Sequence, residues 1–167
     1  MGHSEDRNLQ VRALFAFLAL PFLFAGLVPP LLLALDPWRC SCGLTIAGSL
    51  LLGAGLVVLL WCVRDFVAIG RGTLAPWDPP RRLVVVGLYR YVRNPMYIGV
   101  VTIVSSFALR SGSPLVGAYA ALLATLFHFR VVFYEEPALM RQFGDDFVAY
   151  ASRVRRWIPG AFRLSRD

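Results

Sequence analysis

Residues 44–63 read LTIAGSLLLGAGLVVLLWCV, a run of twenty positions without a single charge. As a helix rising about 1.5 Å per residue, it is long enough to cross a hydrocarbon core of about 30 Å. Three further apolar runs flank it: Val11 to Leu35, which ends near the Pro29-Pro30 pair, Met96 to Leu109, and Leu115 to Phe133. The first and fourth are also long enough to span. The third is marginal, and it crosses by borrowing Arg90–Asn94 as an interfacial turn, or else it is re-entrant. An apolar share of 57% and a mean hydropathy of +0.62, gathered in blocks, exceed what a soluble core needs. The expected fold is all-α, an integral-membrane helical bundle of about four transmembrane helices with a C-terminal cytoplasmic helical tail.

Charge sets the expected topology. The net charge of +7 comes from arginine alone, with no lysine in the chain. Arg64, Arg71, Arg81, Arg82, Arg90 and Arg93 lie between the second and third runs, and Arg141, Arg153, Arg155, Arg156, Arg163 and Arg166 follow the fourth. The N-terminus adds Arg7 and Arg12, whereas the other two connections carry only Arg39 and Arg110. The positive-inside rule then puts both termini and the long loop in the cytoplasm, which closes only if the third run crosses. Arginines at the ends of apolar runs serve topology, so nucleic acid is not an expected partner. Cys40, Cys42 and Cys62 are too sparse for a metal site. No small-residue cleavage site follows the first run, which reads as a retained span.

Two stretches carry chemistry, and the short Arg110–Pro114 hairpin makes them neighbours on the cytoplasmic side. In YRYVRNPMYIG, Tyr89–Gly99, the Asn94-Pro95 pair starts a helix. Asn94 accepts from a free backbone N–H, and Pro95 at the first position sacrifices no needed donor. That N-terminus favours an anion, and Arg93 offers a fork for a carboxylate. Tyr97 adds a ring with a polar tip, and Gly99 permits close approach. A plain cap with interfacial anchors explains the same residues. The second stretch, HFRVVFYEEP, closes the fourth helix with His128, Glu135 and Glu136 roughly on one face. Carboxylates at a helix C-terminus in a membrane are costly, which calls for a cationic partner. Arg93 or Arg130 fills that part, or a bound cation does. A zwitterionic cofactor such as S-adenosylmethionine suits the combination, and NADPH would use similar groups.

The segments GLYRYVRNPMYIG (87–99) and YEEPALMRQFGDDFVAYASRVRRWIP (134–159), with the lead-in GTLAPWDPPRRLVVVG (72–87), resemble the isoprenylcysteine carboxyl methyltransferase family. That family groups with the phospholipid N-methyltransferases. The resemblance covers about residues 76–159, within one domain of 1–167 whose residues 11–63 form an N-terminal helical hairpin. It implies a membrane methyltransferase that binds S-adenosylmethionine at the cytoplasmic end of the bundle, through Arg93, Asn94, Pro95, Tyr97, Gly99, Glu135 and Glu136, with Tyr89 and His128 as further carry-overs. Phe143, Gly144, Tyr150, Val154, Arg156 and Pro159 match the family's tail. Asn94 stands where many members have His, Phe147 where Tyr is frequent, Arg155 where Pro is usual and Leu88 where Pro is frequent. The implied acceptor is lipid-like, in a bacterial inner or plasma membrane. A carboxylate acceptor needs no base, and Arg156 would orient it; an amine needs one, and Glu136 or His128 would serve. A sterol-reductase-like NADPH enzyme and a non-catalytic membrane protein are the competing readings.

Overall fold

The computed structural model describes residues 21–39, 44–65 and 83–159. The readings on residues 11–20, Cys40 and Cys42, most of the basic loop and the last eight residues lie outside these. Helix α1 is Phe22–Leu35, α2 Thr45–Asp65, α3 Pro95–Ser111, α4 Pro114–Phe143 and α5 Asp145–Arg153, with a 3-10 turn at Gly87–Arg90. Among the described residues the architecture is all-helical, and an isolated parallel bridge joins Val92 to Arg155. Two helices, α2 and α4, are long and apolar enough to cross a membrane; α1 and α3 are apolar but shorter.

Surface polarity is inverted relative to a soluble bundle. Ile46, Leu50, Val57 and Leu60 of α2, and Leu122, Leu126, Phe129 and Phe133 of α4, are all exposed. Exposed apolar faces of this extent suit lipid, not water. Inside, Ala25, Val100, Ile103, Val104, Val116, Ala120 and Leu123 form a buried cluster where α1, α3 and α4 meet.

Helices α2 and α3 approach closely through small residues, the usual device where lipid removes any hydrophobic drive between helices. A Cβ on Gly55 would lie 3.0 Å from the backbone nitrogen of Ile103 and 3.1 Å from the carbonyl of Gly99. A Cβ on Gly99 would lie 3.2 Å from the backbone nitrogen of Leu59. The close approach expected at Gly99 is therefore made by α2.

Two prolines-in-helix readings need correction. The first apolar helix does not end near Pro29-Pro30, and the fourth does not close at Glu135-Glu136-Pro137. Both helices continue, and each carries a widened π-turn just before its prolines, at Phe22–Leu27 and Val131–Glu135. There Val28 N–H donates to the Leu23 carbonyl and Glu136 N–H to the Val131 carbonyl, five residues back. A helical proline collides with the carbonyl four residues before it, and that carbonyl falls within the wider turn in each case. The glutamates thus sit mid-helix and not at a C-terminus.

At the end of the bundle opposite to the glutamates, Ser113 caps α4 by accepting from Val116 N–H at 3.2 Å. Its hydroxyl donates to the Asp36 carboxylate, tying the end of α1 to the α3–α4 turn. That bond, with the Trp38 N–H, holds the Asp36 carboxyl below the usual carboxylate range despite desolvation.

Two outcomes follow from this packing. Gly55→Leu pushes α2 from α3 and costs about 1–3 kcal/mol, the range for overpacking, whereas Gly53→Leu, with nothing within 4 Å of its Cβ position, costs little; thermal unfolding in detergent compares them. The depressed Asp36 carboxyl contributes stability that is present above about pH 3.9, the ordinary aspartate value, and is lost as pH falls through the lower folded value. Asp36→Asn removes that acid-side dependence in the same melts.

Candidate functional site

The tight α3–α4 turn returns the chain, so the start of α3 lies beside the middle of α4. Glu136 is gripped from two sides. Arg156 donates Nε to Oε1 at 2.8 Å and Nη2 to Oε2 at 2.7 Å, a bidentate pair. Arg93 Nη1 stands 3.0 Å from Oε1. Glu135 turns to other partners: the Tyr97 hydroxyl donates to its Oε1, and Arg130 Nε lies 2.8 Å from that same oxygen. Arg130 Nε also reaches the Tyr97 hydroxyl at 3.1 Å. Both arginine partners anticipated for the glutamates are thus present, joined by Arg156. The hydrogen bond to Glu136 raises the Arg156 guanidinium above its ordinary range, against a smaller opposing effect of desolvation.

Three arginines face two glutamates, which leaves one positive charge in excess. Arg93 Nε is buried without a hydrogen-bond partner among the described residues. A buried N–H of a charged group left unsatisfied is costly, so this atom marks a place for an acceptor.

The C-terminal segment closes the arrangement. Arg93 N–H donates to the Arg155 carbonyl at 2.9 Å, beside the Val92–Arg155 bridge. Asn94 does not cap α3 with its side chain, which corrects the sequence reading; its Nδ2 donates to the Arg156 carbonyl at 3.2 Å. Pro95 occupies the first turn as expected and is buried. Below, Phe147, Tyr150 and Val154 form a small second core against Leu83, Val85, Leu139 and Phe143. The Tyr150 hydroxyl donates to the Tyr89 carbonyl at 2.7 Å. Burial raises both tyrosines' hydroxyls above the ordinary range. Tyr89 lies beside the buried Cys62 of α2, apart from the glutamates. Gly87, at φ 51°, makes the turn into this segment against Asp65 and Trp61, where a Cβ would collide.

Beside the charged cluster, α3 and α4 border an open cavity of about 460 Å³. Ile98, Val101 and Thr102 line one wall, and Ala124 and Thr125 the other. Tyr97, Phe127, His128 and Trp157 also border it. The Tyr97 and Phe127 rings lie 4.3 Å apart between centroids. Trp157 Nε1 donates to His128 Nδ1 at 3.0 Å. Of the residues expected at the site, Arg93, Tyr97, Glu135, Glu136 and Arg156 come together with His128 nearby. Gly99 serves helix packing, and Tyr89 supports the loop. Trp157 and Phe127 escaped the sequence reading, because a lone aromatic in an apolar chain gives no local signal.

A membrane-type helical protein with an arginine–glutamate cluster and an apolar cavity at one end is the class that these features define. A family model, phospholipid methyltransferase, matches residues 44–146, more than half the chain, and the chain belongs to that family. No curated protein and no solved structure matches. The match begins at α2, earlier than the motifs suggest, and stops within α5. Membership makes the chain a membrane methyltransferase of the kind that acts on lipid-like substrates.

A double-mutant cycle on Glu136→Gln and Arg156→Ala, read by thermal or denaturant unfolding, is expected to give a coupling of about 1–2 kcal/mol. The bidentate geometry sets the upper end, and partial solvent access of Arg156 lowers it.

Proposed function

We propose that the chain transfers a methyl group from S-adenosylmethionine to a lipid-like acceptor, carboxylate or amine, at the cytoplasmic face of a four-span bundle. The arginine distribution supports that orientation, and α1 and α3 supply the shorter crossings. The observation that carries the reading is the buried, unpartnered Arg93 Nε within the cluster of Arg93, Tyr97, Arg130, Glu135, Glu136 and Arg156. A carboxylate fits that atom, since it accepts from a guanidinium edge already fixed by Glu136.

When bound, S-adenosylmethionine supplies an electrophilic methyl group on a sulfonium. Arg93 would hold its carboxylate, with Glu136 keeping the guanidinium in place. Both bonds of Glu135 fall on Oε1, which leaves Oε2 to take an amino group or a ribose hydroxyl. The Tyr97 and Phe127 rings offer faces that attract a cation. The α3–α4 cavity, apolar along both walls, would take the acceptor's alkyl portion and exclude water from the transfer. Family membership speaks against a nicotinamide reductase.

Calorimetry on detergent-purified protein tests the cofactor. S-adenosylmethionine and its demethylated product are expected to bind and NADPH is not. Glu135→Gln with Glu136→Gln should weaken binding by at least about tenfold, equivalent to ~1.4 kcal/mol; unchanged binding would refute the site. Transfer of labelled methyl into a fractionated lipid extract identifies the acceptor.

A further inference from the structure

Three groups near the cavity have acid–base chemistry, and two are committed: Glu135 to Tyr97 and Arg130, Glu136 to Arg93 and Arg156. His128 is the third, and it borders the cavity. Its Nδ1 lies 3.0 Å from the indole nitrogen of Trp157. An indole N–H can only donate, so the nitrogen facing it must accept and cannot carry a proton. In a neutral ring the proton then resides on Nε2.

We infer that Trp157 fixes His128 in the Nε2–H tautomer, making it a hydrogen-bond donor to an anionic oxygen on the acceptor's head and not the base that deprotonates it. The inference rests on the methyltransferase reading and names the acceptor chemistry of that site. Trp157 is the positioning residue, and the two residues before it are anchored. Arg155 before it bridges to Val92 and accepts from Arg93 N–H; Arg156 accepts from Asn94 at its carbonyl and clamps Glu136 with its side chain. For His128 to act as a base, Nδ1 would have to take a proton and Trp157 would have to let go.

The chemistry is consistent with this. A carboxylate oxygen bonds to the methyl carbon as the carbon–sulfur bond breaks and its electron pair returns to sulfur, and no proton moves. An ammonium head would lose its proton to water before reaching the site; its neutral nitrogen would then bond to the methyl carbon as the carbon–sulfur bond breaks, while a neighbouring phosphodiester oxygen accepts a hydrogen bond from Nε2–H. In both cases the shared requirement is an anionic oxygen.

The tautomer is read directly by two-bond proton–nitrogen correlation on protein with ¹⁵N-labelled histidine, at mildly alkaline pH in detergent. The only other histidine, His3, is removed by His3→Gln. Nδ1 is expected at the unprotonated position and Nε2 at the protonated one, and Trp157→Phe is expected to give a mixture of tautomers. Protonated Nδ1 in the parent protein overturns the inference. In the second arm, labelled methyl transfer is followed into phosphatidylethanolamine vesicles and into a farnesylcysteine carboxylate, which separates the two oxygen sources. His128→Gln, whose amide N–H replaces Nε2–H, should stay within about threefold of the parent. His128→Ala should raise KM by about 10- to 100-fold, the range for a hydrogen bond to a charged group. A Gln variant as impaired as Ala, with kcat lost, makes His128 the base and overturns the inference. If the parent binds no S-adenosylmethionine in calorimetry, the cofactor reading falls, while the nitrogen shifts still decide the tautomer.

Discussion

Glu136 is the joint on which this end of the molecule depends. Its two oxygens take Arg93 from the loop entering α3 and Arg156 from the segment after α5. Three stretches far apart in sequence therefore converge on one partly buried carboxylate. Removing one member of such a set leaves a charge in a place poorly supplied with water, which costs more than the pair itself is worth. The remaining partners follow from the same geometry. Once Arg156 is anchored, its carbonyl lies within reach of Asn94, Arg155 pairs with Val92, and Trp157 arrives at His128.

The two adjacent glutamates point about 100° apart around the helix and meet different partners, and a widened turn precedes Pro137. In a membrane every backbone polar group must find an internal partner, so a proline there needs local compensation. The π-turn at Val131–Glu135 accommodates the ring and changes the register in the same step. Glu135 meets Tyr97 and Arg130, and Glu136 meets the outer arginines. The same device appears in α1 ahead of Pro29-Pro30 with no charged residue nearby. It is thus first a solution for prolines in helices, and in α4 it also adjoins the site.

The apolar runs at 44–63 and 115–133 declare their helices, the first through twenty uncharged residues and the second through fifteen before Arg130. The pairing of the α3 start with the glutamates was legible too, from a connection too short to do anything else. Charge logic even named Arg93 and Arg130 as candidate partners. The continuation of both helices through the prolines was not legible, since proline in a sequence normally marks an end, and the compensating turn has no residue signature. Asn94 misled for a related reason: Asn-Pro is a strong cap pattern, but a partner sixty-two positions away competes for the amide. The role of Trp157 depends wholly on that distant contact.

The length of α4 gives the arrangement its purpose. At about 1.5 Å per residue, its 30 residues extend about 45 Å, well beyond a hydrocarbon core of about 30 Å. Its apolar part ends near Phe133, and Glu135 and Glu136 come immediately after. The charged cluster therefore belongs at the level where water meets lipid, while the cavity continues alongside it between the apolar faces of α3 and α4. On the proposed function, a charged, water-borne methyl donor and an alkyl-bearing acceptor would each reach that level from its own phase. Neither has to be desolvated over its whole surface. A soluble pocket would have to draw the acceptor out of the bilayer, and a fully sunken one would have to strip the donor of its hydration. Gathering two glutamates and three arginines around the end of the apolar part of α4 avoids both costs.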